Sequence, residues 1–143
     1  MRIAVLSQTD AERMCRNINT LSIAIISICS TYNKGIPRVF QTEQNKVVDI
    51  LRLRFNDTEN KSEKYKGISS EQSSKIVDFV IKYKDKVDII AIHCYQGKSR
   101  SAGVAAAILE YLHNRGSDIL NNSNYDANKL VYNTVLESFN SRR

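Results

Sequence analysis

The feature that most constrains the fold is an apolar run at residues 21–28, Leu-Ser-Ile-Ala-Ile-Ile-Ser-Ile. The run does not alternate apolar and polar side chains, as a strand with one face in water would, so it predicts a strand buried on both faces. Strands of this kind belong to parallel sheets that helices cover on both sides. The run is also far shorter than the ~20 residues that a membrane-spanning helix requires. We therefore expect an α/β fold without a membrane segment.

Further strands and helices follow one another along the chain. Apolar or alternating segments predict strands at 2–6, 46–55 and 87–92, and apolar spacing predicts helices at 9–17, 69–84, 101–113 and 125–139. Capping boxes, Thr9 with Glu12 and Ser69 with Gln72, predict where the first two helices begin. Turn signals occur at Asn33, Gly35 and Pro37, and a long polar loop spans 56–67.

Chain length sets the number of domains. A chain of 143 residues, 42% of them hydrophobic, fits one core. We expect residues 1–143 to form a single domain with a central, mainly parallel sheet of four or five strands flanked by helices. The net charge is +6 and the pI is about 9.3, which favours anionic ligands. The 21 Lys and Arg residues are spread along the chain instead of forming a basic run, which argues against nucleic-acid binding as the main function.

The cysteines indicate the redox environment. Cys15, Cys29 and Cys94 are odd in number and widely spaced, and no Cys-x-x-Cys pair occurs, so a disulfide framework or zinc site is not expected. Cys15 and Cys29 lie in apolar or amphipathic runs, where cysteine behaves as a small hydrophobe. Residues 2–6 lead directly into polar residues, unlike a signal peptide. We expect a cytoplasmic protein that uses no metal or other cofactor.

Cys94 differs because it begins a loop between a strand and a helix. Residues 94–100 join predicted strand 87–92 to predicted helix 101–113, and this is where open α/β sheets present ligands. Gly97 permits a backbone curl that turns N–H groups inward, and the helix adds the positive end of its dipole. Stabilisation of the thiolate by ~3 kcal/mol would lower its pKa by about two units from about 8.5. The loop is therefore predicted to bind a phosphate group beside an ionised Cys94.

Arg100 completes this candidate site. Its planar guanidinium can bind two phosphate oxygens at once and stays charged at every relevant pH. Residues 93–101 read His-Cys-Tyr-Gln-Gly-Lys-Ser-Arg-Ser. This segment resembles the His-Cys-x-x-Gly-x-Ser-Arg-Ser signature of the protein tyrosine phosphatase superfamily, and it is closest to the dual-specificity and small microbial branch.

The resemblance implies the cysteine-based phosphatase fold and a role for each signature residue. Cys94 would attack phosphorus to form a phosphocysteine, and Arg100 would bind the substrate and stabilise the transition state. Ser101 would hydrogen-bond the thiolate when it leaves. His93 would set the thiolate's environment and the loop shape, unless it is only a packed residue at a strand end. The implied phosphate-binding residues are Tyr95, Gln96, Gly97, Lys98, Ser99 and Arg100.

Such an enzyme also needs an acid, because a phenolate or alkoxide departs far better when it is protonated. Family members supply an Asp some tens of residues before the Cys, and Asp57, at the start of the polar loop, resembles that pattern. Asp57 would later act as the base on water. Glu59 and Glu63 are alternatives, and Asp57 could instead begin a turn. The chain has no Trp and so lacks the Trp-Pro-Asp triplet of classical tyrosine phosphatases, which argues against strict phosphotyrosine specificity.

The predicted function is hydrolysis of phosphomonoesters, with phosphotyrosine and also phosphoserine or phosphothreonine in proteins as substrates. Alternative substrates are RNA 5′-phosphates and phosphoinositides. A phosphate-binding pseudophosphatase that recognises a phosphorylated partner without turnover is another alternative. Rhodanese-like sulfurtransferases and arsenate reductases share Cys-x5-Arg loops, but they need no upstream acid, and arsenate reductases usually carry extra redox cysteines.

Overall fold

In the computed structural model, which describes residues 1–16, 21–32 and 46–142, four parallel strands form a sheet. The strands are β1 (Arg2–Ser7), β2 (Ser22–Cys29), β3 (Lys46–Arg54) and β4 (Ile89–Cys94), in the order β1-β4-β2-β3. The helices are α1 (Gln8–Arg16), α2 (Ser70–Tyr83), α3 (Arg100–His113), α4 (Ser117–Leu120) and α5 (Lys129–Asn140). The predicted α/β class and parallel sheet are confirmed.

The central strands β2 and β4 are buried on both faces of the sheet. Because successive side chains of a strand point to opposite faces, Ile25 packs with Cys15 of α1 on one side, and Ile26 and Ile92 pack with α2, α3 and α5 on the other. Each fully buried isoleucine contributes about 1.5–3 kcal/mol relative to an exposed position. The apolar run at 21–28 therefore takes the place in the sheet that its composition predicts.

Side chains cap the first residues of helices α1 and α2. Ser69 Oγ accepts from the Gln72 N–H at 3.1 Å while Gln72 Oε1 accepts from the Ser69 N–H at 3.0 Å, so this capping box is confirmed. The capping box at Thr9 is wrong. Helix α1 begins at Gln8, and Ser7 Oγ accepts from the Asp10 N–H at 3.0 Å. Strand β1 ends at Ser7, so its hydroxyl is already placed at the start of the helix.

Other bounds also differ from the predicted ones. Helix α5 begins at Lys129 instead of 125, because Asn128 caps it by accepting from the Val131 N–H at 3.0 Å. Strand β4 runs two residues later than predicted and includes Cys94 as its last residue. The polar loop contains a short 3₁₀ helix, Glu63–Tyr65. Neither this 3₁₀ helix nor α4 was predicted. The turn signals at Asn33, Gly35 and Pro37 lie outside the described residues.

The sheet topology determines where functional side chains gather. All the described strands run in the same direction, so their carboxyl ends lie at the same edge of the sheet. Cys94 ends β4 there, with Ser7 of β1 beside it in register. The segments after β2 and β3 begin at the same edge and carry Ser30 and Asp57. Crevices at such edges are the usual ligand sites of open α/β sheets.

Candidate active site

The loop after Cys94 depends on a glycine at its centre. Gly97 has φ +73°, in the left-handed region, and a Cβ there would lie 2.5 Å from the Leu6 carbonyl carbon and from Ser7 N. Neither the backbone angle nor the space accommodates another residue. The loop therefore lies directly against the end of β1.

Backbone hydrogen bonds from two sides hold this loop. Gln8 N–H donates to the Tyr95 carbonyl at 3.1 Å, at the start of α1. From the segment before α5, Asp126 N–H donates to Lys98 O at 2.9 Å and Asn128 N–H donates to Ser99 O at 3.0 Å. Because these carbonyls accept hydrogen bonds from neighbouring segments, the loop keeps its curvature without a ligand.

Cys94 is 2% exposed, and its Sγ lies 3.1 Å from Ser101 Oγ. Burial alone would raise the pKa of this thiol. Hydrogen bonds from the Ser101 hydroxyl and from the backbone N–H groups of Ser101 and Gly97, together with the Arg100 charge, overcome burial and lower the pKa below its ordinary value. The arrangement favours the thiolate, which is the nucleophilic form.

Arg100 is a buried cation, 6% exposed. Its Nη1 donates to Ser30 Oγ and to the Phe55 carbonyl, both at 2.9 Å. Its buried Nε has no hydrogen-bond partner, and no carboxylate of the described residues pairs with the guanidinium. A buried charge without a counter-charge is costly, so the geometry favours an anion at this point.

His93 is fully buried behind the loop. Its Nε2 lies 2.7 Å from Ser27 Oγ on the neighbouring strand, and its Nδ1 lies 3.3 Å from the Cys94 carbonyl. Burial, opposed by the hydrogen bond to Cys94, lowers the pKa of the imidazole, so the neutral form is favoured. His93 thus contacts the backbone of Cys94, which is consistent with a role in shaping the loop and with packing at a strand end.

Asp57, in the polar loop after β3, lines one cavity together with Cys94 and Arg100. Its Oδ1 accepts from Ser99 Oγ at 2.7 Å and from Asn128 Nδ2 at 2.9 Å. The two alternative carboxylates lie elsewhere. Glu59 Oε1 accepts from the Lys129 N–H at the start of α5, and Glu63 lies in the 3₁₀ turn, away from the cavity lining.

The cavity has a volume of about 390 Å³. It brings together the sequence-predicted residues Cys94, Tyr95, Gln96, Ser99, Arg100 and Asp57. Gly97 and Lys98 belong to the loop but not to the lining. Lining residues that the sequence did not single out are Gln8, Ile28, Cys29, Ser30 and Tyr32. Their only local signal was position, since each lies near or just after the end of a strand at the edge where ligands bind.

Two other classes of site, metal centres and membrane spans, are not found among the described residues. In the parts of the chain at 1–16, 21–32 and 46–142, no cluster of three or more His, Cys, Asp or Glu side chains could hold a metal ion. None of the helices described is long and apolar enough to cross a membrane. No disulfide joins any of the cysteines, all of which lie in these ranges.

Comparisons with known proteins place the fold. A comparison with protein-family models found no match, and neither did a comparison with curated protein sequences. Among solved structures, the chain is similar to DUSP15, with 14% identity, a TM-score of 0.64 and coverage of 96% of this chain and 82% of DUSP15.

Two other solved structures match over most of their length. Tk-PTP in its active form is 14% identical, with a TM-score of 0.61 and coverage of 100% of this chain and 94% of Tk-PTP. PTPMT1 in complex with PI(5)P is 16% identical, with a TM-score of 0.59 and coverage of 98% of this chain and 91% of PTPMT1. The resemblance carried by residues 93–101 is thus confirmed at the level of the fold: the chain has the fold of the protein tyrosine and dual-specificity phosphatases.

Proposed function

We propose that the chain is a cysteine-dependent phosphomonoester hydrolase of the protein tyrosine and dual-specificity type. The observation that carries this proposal is that Cys94, whose thiol pKa is lowered, and the buried Arg100 line the same cavity, and that Arg100 Nε has no hydrogen-bond partner among the described residues. A nucleophile beside a cation that no carboxylate of the described residues neutralises suits a tetrahedral dianion. The fold supports the same class of activity by likeness.

In the proposed reaction the Cys94 thiolate attacks phosphorus, and an S–P bond forms as the P–O bond to the leaving group breaks. The Arg100 guanidinium and the N–H groups of residues 95–100 bind the non-bridging oxygens and stabilise the transition state. Asp57 gives a proton to the departing oxygen. Water, deprotonated by Asp57, then attacks the phosphocysteine, and inorganic phosphate and the Cys94 thiolate are released. The Ser101 hydroxyl stabilises this thiolate as it leaves.

The choice of Asp57 as acid has geometric support. Asp57 lines the cavity that contains Cys94. Glu59 instead accepts from the Lys129 N–H at the start of α5, and neither Glu59 nor Glu63 is among the lining residues. Loss of general acid catalysis generally costs about 10²–10⁴-fold in rate. This is enough to separate Asp57 from the other two carboxylates by substitution.

Phosphotyrosine in proteins is the substrate we propose first, with phosphoserine and phosphothreonine also accepted. Two exposed aromatic residues of the lining, Tyr32 and Tyr95, offer apolar contacts to a phenyl ring at the mouth. RNA 5′-phosphates and phosphoinositides are kept as alternatives because the net charge of +6 attracts any of these anions. PTPMT1, one of the structural neighbours, was crystallised with PI(5)P. A cytoplasmic location stays a prediction from the sequence.

The test is hydrolysis of p-nitrophenyl phosphate in the presence of EDTA. We expect turnover by the native chain and none by Cys94→Ser, with Cys15→Ala as a control that keeps activity, because Cys15 lies on the other face of the sheet and outside the cavity lining. Activity that survives Cys94→Ser would contradict the proposal. Tight binding of a phosphopeptide without hydrolysis by the native chain would favour the pseudophosphatase instead.

A further inference from the structure

Asn128 connects three parts of the candidate site. Its side chain is 2% exposed, and Nδ2 donates to Asp57 Oδ1 at 2.9 Å and to the Thr58 carbonyl at 3.1 Å. Its Oδ1 accepts from the Val131 N–H and caps α5, and its own N–H donates to Ser99 O. Asn128 therefore joins three segments: the polar loop, the loop of residues 94–100 (the phosphate loop) and the start of α5.

A close contact between helices brings Asn128 to this place. Gly103 of α3 faces the start of α5, and a Cβ at this glycine would lie 2.7 Å from the Asn128 carbonyl oxygen and 3.1 Å from Val131 Cβ. Only a residue without a side chain allows that approach. The close packing of α5 on α3 thus helps to fix the position of the Asn128 backbone.

The polar loop is closed at its base by another asparagine. Asn56 N–H donates to Lys66 O at 2.8 Å, and Asn56 Nδ2 donates to the Tyr65 carbonyl at 3.1 Å. These bonds join the two ends of the loop but do not contact the Asp57 side chain. The orientation of that carboxyl group depends on Ser99 and Asn128.

Both of these donors bind the same oxygen of Asp57. Because Oδ1 accepts from Ser99 Oγ and from Asn128 Nδ2, it is kept as an acceptor, and the proton of the neutral acid belongs on Oδ2. Oδ2 has no hydrogen-bond partner among the residues described. The neutral carboxyl group is therefore held with its transferable proton on Oδ2, the oxygen that can face a substrate.

We propose that Asn128 is a positioning residue for the general acid: it holds Asp57 Oδ1 so that Oδ2 faces the leaving-group oxygen. The inference rests on the proposed function, because it assigns a partner to the acid of that reaction. Asn128 acts through Asp57 and contacts neither phosphate nor nucleophile.

The experiment compares two substrates that differ in their need for an acid. The phenol released from phenyl phosphate has a pKa close to that of tyrosine, about 10, and needs protonation as it leaves. The p-nitrophenolate ion leaves far more easily because the nitro group delocalises its charge. The ratio of kcat/KM for phenyl phosphate to that for p-nitrophenyl phosphate therefore measures acid catalysis and is insensitive to the amount of folded protein.

The variant is Asn128→Ser. Serine is also a good N-cap, so α5 keeps its cap, but the shorter side chain cannot reach Asp57. The control is Val135→Ala, which removes buried volume from the same helix at a fully buried position away from Asp57. Asp57→Asn gives the ratio expected when the acid is lost, and Cys94→Ser gives the background.

The proposal expects Asn128→Ser to lower the substrate ratio about tenfold or more, in the direction of Asp57→Asn, and Val135→Ala to leave it unchanged. It also expects the double variant Asp57→Asn with Asn128→Ser to match Asp57→Asn alone, since coupled residues are not additive. An unchanged ratio in Asn128→Ser, with a low ratio in Asp57→Asn, overturns this inference but leaves the proposed function intact. Hydrolysis that persists in Cys94→Ser overturns both.

Discussion

Replacing Ser101 with alanine should raise the pKa of the Cys94 thiol. The two side chains are both buried, and Ser101 Oγ lies 3.1 Å from Sγ. Burial favours the neutral thiol, so the lowered pKa depends on the hydrogen bonds and the Arg100 charge that oppose burial. The Ser101 hydroxyl makes the largest of the contributions that lower the pKa, and alanine removes this hydroxyl without adding volume.

The size of the effect follows from the energies of hydrogen bonds. A hydrogen bond to a charged acceptor is worth about 1.5–3 kcal/mol and one between neutral groups about 0.5–1.5 kcal/mol. The hydroxyl therefore favours the thiolate over the thiol by about 1–1.5 kcal/mol. Because one pKa unit corresponds to about 1.36 kcal/mol, the pKa of Cys94 should rise by about one unit. At any pH well below the pKa, the thiolate fraction would fall about tenfold.

The assay is the pH dependence of alkylation by iodoacetamide, read by mass spectrometry on the peptide that contains Cys94. Other cysteines will not obscure it, because burial raises the pKa of Cys15 to about 11 and also raises that of Cys29. Ser73→Ala is the matched control, since Ser73 is fully buried and bonds Thr134 O and Ser138 Oγ, away from Cys94. An unchanged midpoint in Ser101→Ala, or an equal rise in Ser73→Ala, would refute the reasoning.

The remaining predictions concern the loop and its cation. Gly97→Ala should reduce the free energy of unfolding by about 2 kcal/mol or more, because a Cβ would lie 2.5 Å from backbone atoms of β1 at a positive φ; a urea midpoint equal to that of the native chain would contradict this. Arg100→Lys should lower kcat/KM for p-nitrophenyl phosphate by about 10²-fold or more, since an ammonium group cannot bind two phosphate oxygens in a plane. Lys86→Met, at an exposed position outside the loop and the cavity lining, should change kcat/KM little by comparison. Unchanged kcat/KM in Arg100→Lys, together with a large loss in Lys86→Met, would mean that net charge matters more than guanidinium geometry.

The sequence predicted those parts of the fold that have local signals. The apolar run at 21–28 indicated a strand buried on both faces, and the Ser69 capping box marked the start of α2. Residues 93–101 carry Cys94, Arg100 and Ser101 within a few positions, so their proximity needed no knowledge of the tertiary structure. The cap of α1 was predicted at Thr9, but Ser7 caps the helix because it is the last residue of β1 and therefore lies directly before α1.

Contacts between distant segments could not be predicted in this way. Asn128 is 71 positions from Asp57, and Ser30 is 70 positions from Arg100, so no local spacing connects either pair. The apolar spacing of α5 extended the predicted helix back to 125, past Asn128, the residue that caps it. The backbone N–H groups of Asp126 and Asn128 instead donate to the carbonyls of Lys98 and Ser99 in the phosphate loop. Tertiary hydrogen bonds thus decided a boundary that helix periodicity alone misplaced.

The central claim is that Cys94 becomes covalently phosphorylated during turnover. The most direct measurement is rapid acid quenching of the protein during hydrolysis of p-nitrophenyl phosphate, followed by digestion and mass spectrometry. The account predicts a phosphate group on the peptide that contains Cys94, attached to that cysteine, and none on the corresponding peptide of Cys94→Ser. Steady hydrolysis with no phosphate on Cys94, or with phosphate on a different residue, would contradict it.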